Sequence, residues 1–239
     1  MLMGAGFQRG CDPLITIEMA NQSKMKPLHL EDRLDYYNRF FEAHNDEQWD
    51  QAPGKDVFIQ ALKGCLADGI LNDHEKVLDM GCGTGFLLDR IHHEVRASWE
   101  LVGIDFSEKA IKRGKSLYPL IELHRGDATE TDFPSDQFSL IISYGTIEHF
   151  IEPAHGIREL FRLLAQGGRF LVMVPTLGVY RTDRDDEGWY EDLTGQLQWN
   201  FFRTTWGEHF SGAGLSLYPE GVSGKYGALK PGVFYFGHK

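Results

Sequence analysis

Short apolar runs alternate with amphipathic segments through the middle of the chain. The run FSLIIS (138–143) is continuously apolar, which is typical of a strand buried on both faces of a sheet. Residues 153–164 instead place Ile157, Leu160, Phe161 and Leu164 at helical spacing, after a proline that suits a first helical position. The predicted strands are 76–80, 100–105, 120–127, 138–143 and 169–174, and the predicted helices between them are 86–95, 108–117 and 153–164. Repeated alternation of strand and helix predicts an α/β fold with a parallel sheet covered on both faces.

The two ends of the chain depart from this alternation. Residues 28–50 carry leucine and aromatic side chains at helical spacing and predict an amphipathic helix. We therefore expect residues 1–54 to form a helical cap and residues 55–239 to form the main domain. The last part of the chain contains two apolar segments, 215–222 and 232–239, joined by a loop rich in glycine and proline. They predict an antiparallel pair of strands at the sheet edge.

The composition of the chain indicates which cellular location and which classes of binding partner to expect. A length of 239 residues with 42% hydrophobic residues suits one α/β domain with attachments. No run of about 18 or more apolar residues occurs, so we expect no transmembrane helix, and the first residues lack the apolar core of a signal peptide. The three cysteines form neither a zinc pattern nor a disulfide framework, which favours a reducing, cytoplasmic location. A net charge of −11 disfavours binding to nucleic acid.

The segment VLDMGCGTG (77–85) is the strongest candidate for chemistry. It places three glycines within five residues, directly after a strand that carries Asp79. Such clusters allow a tight turn or a close approach of backbone to a ligand. A phosphate-binding P-loop would need GxxxxGK[ST], which is absent, and a dinucleotide loop would need GxGxxG. Here the third glycine, Gly85, comes one residue early and Phe86 occupies the dinucleotide position.

This loop resembles motif I of the class I S-adenosylmethionine-dependent methyltransferases, and further motifs follow in the family's order. GIDFSEKAI (103–111) resembles the second motif, and residues 126–143 resemble the third and fourth. ELFRLLAQGGRFLVMVP (159–175) resembles the helix and strand that come next. The resemblance covers roughly residues 55 to 175. It implies a doubly wound, seven-stranded, mostly parallel Rossmann-like sheet with an antiparallel last strand, S-adenosylmethionine as cofactor and S-adenosylhomocysteine as product.

The resemblance also implies a role for individual residues. Asp105 would accept the two ribose hydroxyls, Asp79 would attract the ammonium of the methionine part, and Phe106 would pack on adenine. Asp127 would accept from the adenine amino group, beside the amide of Ala128. For Asp105 the alternative is a helix cap, and for Phe106 it is the core. The implied cofactor-binding residues are Asp79, Gly81, Gly83, Gly85, Asp105, Phe106, Asp127, Ala128 and Ser143.

The segment SYGTIEHFIEP (143–153) follows the fourth strand and should lie beside the methyl group. His149 is a candidate general base and Glu148 a candidate for orienting it, although the pair could instead brace the loop. Some related methyltransferases bind a divalent metal here through Glu-x-x-Glu-His. Gly145 replaces the first of those glutamates, so we predict no metal.

Residues 177–206 are the most individual part of the sequence and are expected to form a lid over the acceptor. An aromatic wall suits a flat or apolar small molecule, and acidic residues beside it suit an amine. The alternative is that the aromatics belong to the core and the acids to a solvated loop. The candidate acceptor contacts are Tyr144, Tyr180, Trp189, Trp199 and Trp206, with Arg203 and His209 as secondary candidates.

These features predict an enzyme that methylates an oxygen or nitrogen of a small, biosynthetic acceptor, as a monomer or homodimer and with no membrane partner. The alternatives are a protein or RNA methyltransferase, or a module that binds S-adenosylmethionine without catalysis.

Overall fold

The computed structural model describes residues 54–177, 187–191, 197–218 and 234–239. The helix predicted at 28–50, and with it all of the predicted cap except Gly54, lies outside these residues. The helices are α1 (Lys55–Ala67), α2 (Phe86–Glu94), α3 (Glu108–Leu117), α4 (Pro153–Leu163) and α5 (Arg203–Gly212). The strands are β1 (Lys76–Met80), β2 (Glu100–Asp105), β3 (Glu122–Arg125), β4 (Phe138–Tyr144), β5 (Leu164–Met173), β6 (Thr176–Leu177), β7 (Gly188–Glu191), β8 (Leu197–Phe202), β9 (Ser216–Leu217) and β10 (Phe234–His238).

Seven strands form the main sheet, in the order β3-β2-β1-β4-β5-β10-β9. The first five in this order run parallel, β10 is antiparallel to β5, and β9 is antiparallel to β10. This confirms the predicted fold class and the antiparallel pair at the edge. The direction of winding reverses between β1 and β4, so a crevice opens outside the carboxyl ends of these two strands.

Successive residues of the central strands face opposite sides of the sheet, and each side has its own core. Leu140 and Ile142 of β4 pack with Phe58 of α1 and Leu88 of α2. Ile141, between them in sequence, packs on the other side with a cluster that includes helices α4 and α5. The continuous apolar character of β4 follows from this double burial.

Local signals place several helix starts where they were predicted. The Ser107 hydroxyl oxygen accepts a hydrogen bond from the Ala110 amide at 3.2 Å and caps α3. Pro153 occupies the first position of α4. No helix among residues 54–177 and the other described ranges is long and apolar enough to cross a membrane.

Two parts of the fold differ from expectation. Strand β5 begins at Leu164, earlier than predicted, because Leu164 already pairs with Phe138. The register then shifts, and Gly167, with a φ of +71°, lies within β5. The segment 177–206, for which no strands were assigned from the sequence, contributes to a second sheet of order β6-β8-β7.

Candidate active site

The glycine loop is held against the end of β2 by its own backbone. The amides of Gly81 and Cys82 both donate to the Ile104 carbonyl, at 2.9 and 3.1 Å. Gly81 has a φ of +80°, and a Cβ at this position would collide with the side chain of Thr146. Glycine is therefore required here on two grounds, conformation and space.

Gly83 differs from Gly81 in what surrounds it. Its φ is +56°, and nothing lies within 4 Å of where a Cβ would be, counting only the residues the structure describes. Its amide donates to Oδ2 of Asp105 at 2.9 Å. Gly83 therefore lines open space directly beside the Asp105 carboxylate.

Asp105 ends β2 with its carboxylate oriented by two amides. Oδ1 accepts from the Ser107 amide at 2.8 Å, and Oδ2 accepts from the Gly83 amide. Burial raises the pKa of Asp105, and the amides of Ser107, Gly83 and Phe106 act in the opposite direction. A carboxylate has about four lone-pair positions, so the oriented Asp105 carboxylate keeps acceptor capacity for a hydroxyl of a ligand.

Asp79 is a buried carboxyl beside the same loop. It is 2% exposed, and within the described part of the chain its Oδ1 has no hydrogen-bond partner. Burial raises its pKa to about 7, Lys55 lowers it, and Asp105 raises it further. A buried polar atom without a partner costs free energy, and a cationic ligand would relieve that cost.

The candidate adenine side lies after β2 and β3. The Asp127 Oδ1 accepts from the amide and the hydroxyl of Thr129, at 2.8 and 2.7 Å, which orients the carboxylate. Ala128 is buried and Phe106 is half-buried. The Gly126 amide donates to the Asp105 carbonyl at 3.0 Å, so Asp127 and Ala128 follow a turn that is hydrogen-bonded to the end of β2, next to Phe106.

The loop between β4 and α4, residues 145–152, is called the acceptor loop here and contains the candidate base. Ile147–His149 form a single 3₁₀ turn in which Glu148 is buried. His149 Nε2 lies 4.0 Å from Glu148 Oε1, and the His149 side chain is 11% exposed. At this distance a protonated His149 would be attracted to the Glu148 carboxylate by charge, but 4.0 Å is longer than a hydrogen bond. No cluster of three metal-ligating side chains occurs in the described ranges.

Residues 71–198 match the family described as a methyltransferase domain. The chain belongs to this family. The match covers more than half of the 239 residues and confirms the resemblance to S-adenosylmethionine-dependent methyltransferases.

Relatives of this protein are similar in sequence to the central region of the chain. One, from Mycolicibacterium smegmatis, is named "Probable S-adenosylmethionine-dependent methyltransferase" and is 30% identical over 109 residues, 46% of this chain and 41% of that protein. The 2-phytyl-1,4-naphtoquinone methyltransferase of Thermosynechococcus vestitus is 37% identical over 100 residues, 40% of this chain and 44% of that protein. The matched regions thus span less than half of these relatives' length.

A solved structure extends the likeness of fold to nearly the whole chain. It is the 1,6-didemethyltoxoflavin-N1-methyltransferase of Burkholderia thailandensis with bound 1,6-didemethyltoxoflavin and S-adenosylhomocysteine. The TM-score is 0.61 at 15% identity, over 91% of this chain and 92% of that one. At this identity the likeness shows the fold alone.

Two residues predicted to touch ligands have structural roles in this protein. Ser143 is fully buried, and its hydroxyl donates to the Met80 carbonyl at 2.9 Å, which joins β4 to β1. Trp206 is 0% exposed, and its Nε1 donates to the Pro175 carbonyl at 3.0 Å. Neither side chain has surface left for a cofactor or an acceptor, and this corrects both predictions.

The other candidate acceptor contacts lie in different parts of the structure. Trp199 is half-buried, stacks on Phe201 with ring centroids 5.1 Å apart, and donates from Nε1 to the Ile151 carbonyl at 3.0 Å. It is therefore held next to the loop that carries His149. The backbone of Trp189 pairs with that of Trp199 in the β7–β8 hairpin, and Tyr180 lies outside the described residues.

Three further residues were predicted to contact the acceptor. The half-buried Tyr144 packs edge-on against Phe58 at 5.7 Å, with its hydroxyl against Gly54. His209 packs against Phe201, and burial lowers its pKa. Arg203 is exposed.

One residue of the site escaped the sequence analysis. Lys55 begins α1 and places its Nζ 5.1 Å from the centroid of the Phe86 ring, at the start of α2. Its position directly after a Pro-Gly break is a signal of a helix start, but nothing in the sequence relates it to Asp79.

Proposed function

We propose that this protein transfers a methyl group from S-adenosylmethionine to an oxygen or nitrogen of a small-molecule acceptor. The observation that carries the proposal is the oriented Asp105 carboxylate beside the open space over Gly83. A pair of neighbouring hydroxyls, as on ribose, matches two acceptor oxygens held in this way.

The residues present fit the rest of this cofactor. Asp79 offers a buried carboxylate oxygen without a partner among the described residues, which suits an ammonium. The loop from Gly81 to Gly85 has no bulky side chain and can approach a ligand closely. Phe106, Asp127 and Ala128 follow on the adenine side.

When bound, S-adenosylmethionine supplies a methyl group activated by a positive sulfur. The methyl carbon would pass to the lone pair of the acceptor atom and leave the sulfur as a neutral thioether, while Asp79, Asp105 and the glycine loop would hold the cofactor. The acceptor's proton then has to leave, and His149 takes it, with Glu148 stabilising the resulting imidazolium. The protein otherwise acts by holding the reacting atoms in line.

A small-molecule acceptor is favoured over a macromolecule by two considerations. The net charge of −11 opposes a polyanionic partner. The stacked Trp199 and Phe201 rings, next to the loop of His149, suit a flat or apolar molecule. One matched relative is named for its action on a naphthoquinone, a molecule of that kind.

Titration calorimetry with S-adenosylhomocysteine tests the cofactor half of this proposal. We expect the wild type to bind and Asp105→Asn to weaken binding by about tenfold or more, because the amide removes a charged acceptor. Glu100→Gln is the matched control, since Glu100 starts the same strand at its opposite end and is exposed. A wild-type protein that does not bind S-adenosylhomocysteine refutes the proposal.

The catalytic half is tested with His149→Ala and a mass-spectrometric screen for metabolites that gain one methyl group. We expect the variant to bind S-adenosylhomocysteine as the wild type does and to lose turnover by about 100-fold or more. Equal turnover of both proteins refutes the role of His149.

A further inference from the structure

Helix α3 carries a basic surface on its solvent side. Its apolar residues are buried, and a Cβ on Gly114 would meet Leu123 of β3, so that side of the helix packs on the sheet. The opposite side is exposed and mostly basic, and the end of β3 extends it. Five exposed cations define what is called the α3 surface here: Lys109, Lys112, Arg113 and Lys115 of α3, and Arg125 of β3.

The carboxylate of Glu108 lies within the α3 surface but does not cancel its charge. Glu108 pairs with Lys112 at 2.7 Å and with Arg125 at 3.6 Å. Glu122, the neighbour of Leu123 in β3, faces the opposite side of the sheet, because successive residues of a strand alternate. The α3 surface is therefore positive, although the net charge of the chain is −11.

The turn from α3 to β3 adds exposed apolar side chains to this surface. The described part of the chain exposes three large apolar side chains, and two of them are Leu117, at 48%, and Leu120, at 70%. Pro119 between them is also exposed. Leu117 follows Arg113 by four residues, so the two lie on the same face of the helix. The apolar turn and the cations thus form one continuous surface.

This combination fits an anionic lipid membrane better than another polyanion. Clusters of about four to eight lysines and arginines on a helix are typical of contacts with anionic phospholipids, and each adds about fivefold in affinity. Negative charge elsewhere on the chain opposes this contact little, since salt screens charges beyond about 8 to 10 Å. Nucleic acid would match the cations alone, whereas a membrane also offers an apolar boundary to leucine side chains.

We propose that the α3 surface and residues 117–120 dock this protein on membranes that contain anionic phospholipids. The cations contact the headgroups, and Leu117 and Leu120 enter the boundary between headgroups and acyl chains. Such docking needs no membrane-spanning helix, and it replaces the expectation that the protein has no membrane partner. The inference does not depend on the proposed function. Since α3 begins just after Asp105, the docking surface adjoins the candidate active site.

Co-sedimentation of the whole protein with lipid vesicles tests this inference. The vesicles contain phosphatidylcholine alone or with about one third phosphatidylglycerol, at about 0.1 M salt. We expect the wild type to bind the anionic vesicles about tenfold or more tightly than the neutral ones and to leave them at about 1 M salt. Lys112→Gln combined with Lys115→Gln should weaken binding about 25-fold, because two cations are lost. Leu120→Ser should weaken it about tenfold, because an apolar contact is lost.

The matched control removes two positive charges outside the α3 surface. Lys63→Gln on α1 combined with Arg158→Gln on α4 changes the net charge by the same amount, and both side chains reach solvent. We expect this variant to bind anionic vesicles as the wild type does. Circular dichroism checks that every variant is folded.

Several outcomes overturn the inference. A wild type that does not sediment with anionic vesicles, or that binds neutral vesicles equally well, overturns it. Equal weakening by the control and by the Lys112 and Lys115 variant also does so, because net charge rather than this surface would then act. If an RNA duplex binds as tightly as the vesicles and Leu120→Ser has no effect, the surface belongs to nucleic acid instead. Loss of S-adenosylhomocysteine binding, measured separately, bears on the proposed function alone.

Discussion

The buried carboxyl of Asp79 should make the stability of this protein depend on pH in a direction opposite to that of an ordinary acid. Burial raises its pKa from 3.8 to about 7, whereas the unfolded chain exposes it to water. Between these values the folded state binds the proton and the unfolded state does not. The free energy of unfolding therefore falls as pH rises from about 4 to about 7.

The size of this effect follows from the two pKa values. A shift of about 3 units, at about 1.4 kcal/mol per unit, corresponds to roughly 4 kcal/mol in total. Roughly 2.5 kcal/mol of that falls between pH 5 and pH 8. The side chain is only 2% exposed, so screening by water does not reduce the figure.

Asp79→Asn isolates the effect because asparagine does not ionise. We expect urea denaturation to give the wild type a loss of stability from pH 5 to pH 8 that exceeds the variant's by roughly 2.5 kcal/mol. Any constant cost of burying the amide cancels in this difference. The variant should also bind S-adenosylhomocysteine more weakly at pH 8, since the ammonium loses its carboxylate. Identical pH profiles, or unchanged binding, would refute the assignment.

Two further predictions concern the loop and the aromatic core. Gly81→Ala should lower the free energy of unfolding by about 1–3 kcal/mol, because its Cβ meets Thr146 and its φ is positive. Gly83→Ala, with open space around it, should cost less stability but weaken S-adenosylhomocysteine, and equal effects on both measurements would contradict this contrast. Trp206→Ala should cost about 3–5 kcal/mol in urea denaturation, whereas a loss below about 1 kcal/mol would place Trp206 outside the core.

The strands and the helix starts were predictable because their signals are local. β1 and β2 have the bounds that the apolar runs indicated, and Ser107 and Pro153 mark helix starts by their own chemistry. The position of Gly85 distinguishes this loop from a dinucleotide-binding loop for the same reason, because glycine spacing is also a local signal. A residue's conformational freedom is a property of the residue and its neighbours in sequence.

Sequence alone could not assign the aromatic residues between 177 and 206. Trp199 and Trp206 are the same residue type, seven positions apart, yet one is half-buried beside the acceptor loop and the other is wholly in the core. Their difference depends on β8, which pairs with β6 and β7 in a sheet whose register no local pattern indicated. Ser143 was likewise predicted to contact the cofactor, whereas in the structure its hydroxyl donates a hydrogen bond to the Met80 carbonyl.

The order of the motifs, the parallel sheet and the family were determined by sequence, because periodicity and glycine spacing report on the backbone directly. The charge of Lys55 lowers the pKa of Asp79 only because of the tertiary structure. These residues are far apart in the chain and share no motif, and α1 packs parallel to α2 on the same face of the sheet. Burial, and with it the pKa of Asp79, arises from that packing, so no reading of the neighbouring residues could have supplied it.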